Sequence, residues 1–365
     1  MNLHDETPFA SGLTIGPGPG GEPCLTVIVK ATFTLPRALD GRPEPAAGQL
    51  PVAADDVYTD GDVTRSLHLE KDTAPFKPRA DVVLVGTAYA PGGRPVPVLD
   101  VMLGVGPLRK VLRVFGDRAW MFPSRMVMVP LASEPAPFAS MPITYERAFG
   151  GIDRKAGRAC DRNYAGKGFL GRKTRESVHA SPLPNVEDPG RLITSWDDEP
   201  MPAGFGFYSP HCQPRARWLG TERGLETPHP IFGLAADFRH DYYNGAHPEL
   251  QLPGYLRGDE PVELVNLTPD GPRRFRLPGV RPVVALDVNQ PPPAQTPSAD
   301  ASPTSGGRPT REVRPDVRLD TLVLLPDEDR FYLVWRSVYP LGAVKDADGL
   351  KRALLDVAAI RVRIA

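Results

Sequence analysis

No stretch of these 365 residues approaches the roughly 20 consecutive apolar side chains that a helix needs to cross a bilayer. Cysteine is scarce. Cys24, Cys160 and Cys212 lie far apart with no Cys-x-x-Cys pair, which argues against a disulfide framework and for a reducing compartment. A surplus of one charge is also missing. Forty-three Lys and Arg stand against 44 Asp and Glu, a formal net charge of −1, and the arginines form no basic cluster, so nothing draws the chain to phosphate backbones. Neither nucleic acid nor membrane insertion is expected. The first residues, MNLHDETPFASGL, carry early acids and no apolar run, unlike an export signal. A protein of the cytoplasm is the expectation.

Catalytic signatures are missing as well. The histidines (His4, His68, His179, His211, His229, His240 and His247) show no HxH or HxxxH spacing. There is no GxSxG elbow, and no serine or cysteine stands in an activating context. The glycine-rich GPGPGG at 16–21 lacks the Lys-Ser/Thr ending of a phosphate loop and reads as a turn-rich loop. Asp55-Asp56 and Asp197-Asp198-Glu199 read as solvated loop acids. No catalytic residue, metal ligand or cofactor is assigned. The enzyme alternative is a hydrolase assembled from His211, Cys212 and the acids at 197–199.

Proline and glycine are abundant, 44 and 35 residues. Proline has no backbone donor and breaks helix interiors, so short strands joined by turns fit better than helices. CLTVIVKATFTL (24–35) and ADVVLVGTAYA (80–90) read as buried strands. PVPVLDVMLGVGPLRKVLRVFGDRAW reads as two or three antiparallel strands broken at 104–107 and 116–117. A hairpin is expected over 261–279 around Pro269-Asp270-Gly271, then a strand in RPVVALDV. Another hairpin joins LDTLVLLP to RFYLVWRSVYP across Asp327-Glu328-Asp329 and is expected to complete the main sheet. Leu350, Leu354, Leu355 and Ala358 space as a short helix from Asp346 to about Ala359, with RVRIA as a final edge strand. The expected fold is mainly β: an antiparallel β-sandwich with long Pro/Gly-rich loops and a short C-terminal helix. Its parts are a β-rich domain over 1–288 with a loop-rich centre at about 133–240, a disordered Pro/Ser-rich linker or loop over 289–311, and a hairpin plus helix over 312–365.

Four segments of the loop-rich centre stand out: YERAFGG (145–151), NYAGKGF (163–169), PMPAGFGF (200–207) and QPRARWLGT (213–221). Each combines glycines with an aromatic anchor and often an arginine. With the preceding GDRAW, they nominate Trp120, Tyr145, Arg147, Phe149, Asn163, Phe169, Phe205, Phe207, Arg215 and Trp218 as partner-binding or loop-shaping residues.

These strings, in order with KATF (30–33), FKPRADVVLVG (76–86), PAPFASMPITYERAFGG (135–151), LPNVEDP (183–189), PAGFG (202–206) and GYLRGDE (254–260), resemble the bacterial domain-of-unknown-function family 2169 over about residues 10–288. Two departures bear on loop shape: Tyr164 replaces the Pro expected after Asn163, and His211-Cys212 replace a Trp expected shortly before Pro214-Arg215. The resemblance implies an adaptor or chaperone of the type VI secretion system. Its partner would be a secreted effector toxin, with the VgrG or PAAR spike protein as the receiving end. It carries over no catalytic residues, and oligomeric state is left open. A structural component of a secretion or phage-like particle is the remaining alternative.

Overall fold

The computed structural model describes residues 2–37, 41–290 and 309–365. The breaker-free run at 24–35 forms the strand Pro23–Thr34, buried along all but its last residue. It lies in a six-stranded sheet of order Gln251–Pro253, Arg79–Leu84, Val317–Leu325, Arg330–Pro340, Pro23–Thr34, Ala10–Pro17. The second hairpin therefore sits at the centre of this sheet. Its turn is Pro326–Glu328 followed by Asp329 at φ 51°.

The two faces of this sheet differ in chemistry. Directly opposed residues share a face, and Phe33, Ala31 and Val29 stand opposite Phe331, Leu333 and Trp335, all buried in the principal apolar core. The other face carries Lys30, Tyr332, Arg336, Thr321 and Asp81. The register shift between Leu319 and Thr321 adds one residue and turns Asp320 toward Arg336, with which it pairs. An irregular strap over residues 44–77 covers this polar face. Thr26 donates to the Pro75 carbonyl at 2.7 Å, Lys30 meets Asp72 at 2.8 Å, and Arg336 donates to the Asp72 and Ala74 carbonyls. Lys77 bridges Glu70 and Asp81, and Arg215 reaches Glu70. Four cations and four carboxylates are thus sealed between strap and sheet, each at most 6% exposed.

A five-stranded sheet has the order Val186–Glu187, Leu108–Phe115, Val98–Val105, Pro261–Val265, Arg273–Arg276. It contains both hairpins expected in these stretches. A four-stranded sheet has the order Asn2–Asp5, Val357–Ile364, Pro282–Asn289, Thr310–Val313. The architecture is mainly β, and most pairings are antiparallel. Among the strand pairs of the described residues three are parallel: Asn2–Asp5 with Val357–Ile364, Phe149–Gly150 with Lys167–Gly168, and Arg79–Leu84 with Val317–Leu325.

Several expectations shift. The run at 80–90 is two strands, Arg79–Leu84 and Thr87–Tyr89, parted at Val85-Gly86. The last helix is Ala347–Leu355, capped by the Asp346 side chain on the Gly349 N–H at 2.7 Å. Beyond it the chain enters an interior strand of the four-stranded sheet, not an edge. The linker expected at 289–311 falls mostly on 291–308, outside the described residues, while Asn289 pairs with Thr310 and Val288 with Arg311 as strand.

The loop-rich centre keeps its expected character, with strands of two or three residues and helices of four. A second, smaller core of Trp120, Phe149, Cys160, Val178, Leu183 and Ile193 holds part of it together.

Candidate partner-binding surface

YERAFGG and NYAGKGF fold into each other. Tyr145–Arg147 make a single 3-10 turn, and Phe149–Gly150 then pair with Lys167–Gly168. The Asn163 side chain closes the unit by donating to the Tyr145 carbonyl at 2.8 Å and the Phe149 carbonyl at 3.0 Å. Gly150, at φ 148°, passes so close to Asn163 that a Cβ would collide with its carbonyl oxygen, so both backbone conformation and space require glycine there. The Tyr145 ring stacks on Tyr208 at 4.8 Å, and Gly204 packs against its face. Burial pushes both phenols up, keeping them neutral. Arg215 donates to the Tyr242 and Tyr208 carbonyls, each at 3.0 Å, while its third arm meets Glu70 at 2.6 Å.

Seven of the ten nominated residues are therefore internal: Trp120, Tyr145, Phe149, Asn163, Phe205, Phe207 and Arg215 are all buried. They shape loops, and in this fold they present nothing to a partner. Arg147 is half-buried and donates to Asn185 at 3.2 Å. Phe169 packs half-exposed on the smaller core. Trp218 is half-buried between the Arg217 and Arg239 guanidinium groups, 4.5 and 4.3 Å from its ring. Only these three retain surface for contact.

A surface that the sequence reading passed over lies next to Trp120. Trp120–Met121 pair with Leu131–Ala132, and this hairpin with its loop carries the densest exposed apolar group among the described residues. Met126 is 91% exposed, Met128 78%, Val129 64% and Leu131 59%, with Met121 at 40%. Its base is fixed. Trp120 and Ala180 exchange backbone bonds with Ser181 and Trp120, and Arg175 donates to the Val127 and Ser124 carbonyls at 2.7 Å each. The Arg175 guanidinium also lies 4.0 Å from the Phe122 ring. The signal was present in the string MFPSRMVMVPL: apolar side chains bracketed by Pro123 and Pro130, with no period that would bury them.

The residues of the hydrolase alternative are held in separate hydrogen-bond and stacking arrangements. Cys212 is buried, and burial raises its thiol above the ordinary value, the opposite of an activated nucleophile. His211 stacks on Tyr164 at 5.8 Å, and desolvation lowers its pKa. Asp198 accepts the Thr194 and Ser195 N–H groups at 2.8 Å, which lowers its carboxyl, while Asp197 and Glu199 pair with Lys173 at 3.1 Å. No hydrogen bond or ion pair joins His211, Cys212 and these acids. Among the described residues no three His, Cys, Asp or Glu side chains gather as a metal-ligand set, and no helix is long and apolar enough to cross a membrane.

No curated protein and no solved structure matches the chain. One family does, over residues 20–336, which takes in the six-stranded sheet from Pro23 through most of the central hairpin together with the whole loop-rich centre. That span also contains every motif on which the resemblance was drawn beyond residue 20. On this match the chain belongs to the family described as "Uncharacterized protein conserved in bacteria (DUF2169)".

Proposed function

We propose that the protein is an adaptor that holds another protein through the methionine-rich loop at 121–131. The observation carrying this is the exposure of Met121, Met126, Met128, Val129 and Leu131 within eleven residues, on a loop whose base is tied down. Soluble proteins rarely expose so many neighbouring large apolar side chains without a binding role. Methionine is unbranched and polarizable, so it can mould itself to a varied apolar surface. A pinned base limits the ordering cost of docking. In the resemblance drawn above, the held protein is a type VI secretion effector, bound in the bacterial cytoplasm and passed to the VgrG or PAAR spike.

The test is capture of a type VI effector from a lysate of the native bacterium by the tagged protein, compared with a Met126→Asp/Met128→Asp variant. Capture should fall at least about tenfold, since apolar hot spots cost about 1–2 kcal/mol or more each when removed, with an unchanged circular dichroism spectrum. Undiminished capture by the variant, or normal effector secretion from a strain lacking the protein, refutes the proposal.

A further inference from the structure

The gap at Val85-Gly86 that splits the run at 80–90 opens a cavity of about 210 Å³. Three strings far apart in sequence meet around it: FKPRADVVLVG supplies Val85 and Gly86, PITYERAFGG supplies Ile143 and Tyr145, and PAGFG supplies Gly206. The Ile143 N–H donates to the Gly86 carbonyl at 3.0 Å, locking two of these strings together. Leu67, Val85 and Ile143 give apolar walls, while Asp327 and Glu328 of the central hairpin turn stand at the rim.

Gly206 lines this space. Its backbone is not left-handed, and a Cβ there would touch only the Tyr145 ring, at an ordinary 3.8 Å. A Cβ fits at this position, and a larger side chain there would occupy part of the cavity.

The rim has a charge without a counter-charge. Asp327 accepts hydroxyl bonds from Thr87 and Tyr89, both at 2.8 Å, and among the described residues no Lys or Arg pairs with it. Burial and this carboxylate push the Tyr89 phenol up to about 12, so it remains a donor. Glu328 is taken by Arg330 and faces His68 at 3.8 Å.

We infer that this cavity receives one lysine or arginine side chain from a partner protein, its aliphatic stem against Leu67, Val85 and Ile143 and its charged head at Asp327. The volume is below the roughly 300–1,000 Å³ of sites for drug-sized ligands and suits a single side chain. Apolar walls with an anionic mouth match the two halves of a long basic side chain. This site is separate from the methionine-rich loop and does not depend on the adaptor role.

The experiment uses the full chain with labelled Ile, Leu and Val methyl groups, titrated with N-acetyl-arginine methylamide and with its neutral isostere, N-acetyl-citrulline methylamide. Methyl resonances of Leu67, Val85 and Ile143 should shift and saturate with the arginine probe, and the citrulline probe should bind roughly threefold more weakly, as expected for one solvent-accessible ion pair. Asp327→Asn, at an exposed turn, should abolish the difference between the probes. Gly206→Val should abolish binding of both while leaving methyl resonances elsewhere in place. Equal binding of the two probes to the native protein, no response at these methyls, or an undisturbed response in the Gly206→Val protein overturns the inference.

Discussion

Replacing Lys77 by Met keeps the aliphatic stem and removes the one ammonium that serves two buried carboxylates. Lys77 Nζ lies 2.8 Å from Glu70 Oε2 and 2.8 Å from Asp81 Oδ2, with 1% of the side chain exposed. Glu70 would keep Arg215. Asp81 would keep only neutral donors, Asn244 Nδ2 at 3.0 Å and the Gly245 N–H at 3.1 Å, in a fully buried position. Removing one partner of a buried ion pair costs about 3–5 kcal/mol, and that is the loss expected at pH 7. In Lys77→Met/Asp81→Asn the stranded charge is gone, so the loss should shrink to about 1–2 kcal/mol. The pH dependence has a definite sign. Burial alone would raise the Glu70 carboxyl, but Lys77 and Arg215 outweigh it and hold it low. A carboxyl held low in the folded state contributes stability above its ordinary range and loses it as pH falls. The gap between native and Lys77→Met proteins should therefore be widest near neutrality and narrow towards pH 4. Urea unfolding at pH 7 and pH 4 measures both. A loss under 1 kcal/mol at pH 7, or a double variant no more stable than the single one, refutes this account of the sealed charges.

Three further outcomes are expected. Asn163→Leu leaves the buried Tyr145 and Phe149 carbonyls without their shared donor and should cost about 2–4 kcal/mol, read from the urea midpoint; a shift below 1 kcal/mol counts against the interlocked-loop description. All three cysteines are buried, and burial with the Glu22 charge pushes Cys24 up to about 12. A thiol reagent should label none of them promptly in the native protein and all three in denaturant, and one fast-reacting native thiol would contradict the burial. Burial, reinforced by Lys110, pushes His247 down from 6.5 to about 4. The unfolded chain takes the proton first, so stability should fall as pH drops from about 6.5 to 4, by up to about 1.4 kcal/mol per unit. His247→Asn should remove that slope, and parallel pH profiles would dismiss it.

Strands whose burial is written in their own side chains were readable in advance. Residues 24–35 and both halves of the central hairpin are dominated by aliphatic, β-branched and aromatic side chains with no internal breaker and form strands within a residue or two of the reading. Neighbour relations were less legible. Nothing local in ADVVLV says that its partner is a parallel strand beginning at Val317, because the pairing is selected by the whole sheet. Buried charge was invisible for a similar reason: Glu70 and Lys77 look like solvated loop residues until Asp81 and Arg215 are brought around them. The nominated motifs of the loop-rich centre turn out to point mostly inward. Aromatic-glycine strings such as YERAFGG are conspicuous because tight loops need them, and that need buries them. The exposed Met126 and Met128 were legible only as an apolar run between Pro123 and Pro130 that follows neither a strand nor a helix period.

The central position of the Arg330–Pro340 strand also sets the order in which the protein can be made. Pro23–Thr34 and Arg79–Leu84 leave the ribosome early, yet the hairpin that lies between them is synthesised last among the strands of their sheet. At about 5–20 residues per second, the interval after Leu84 is on the order of tens of seconds. Throughout it, two highly apolar strands wait with unfilled hydrogen-bonding edges, the exposure that leads nascent β proteins to associate wrongly. Premature termination anywhere before Val317 would therefore leave both strands without the hairpin that fills the sheet between them, an aggregation-prone chain and not a shortened working protein.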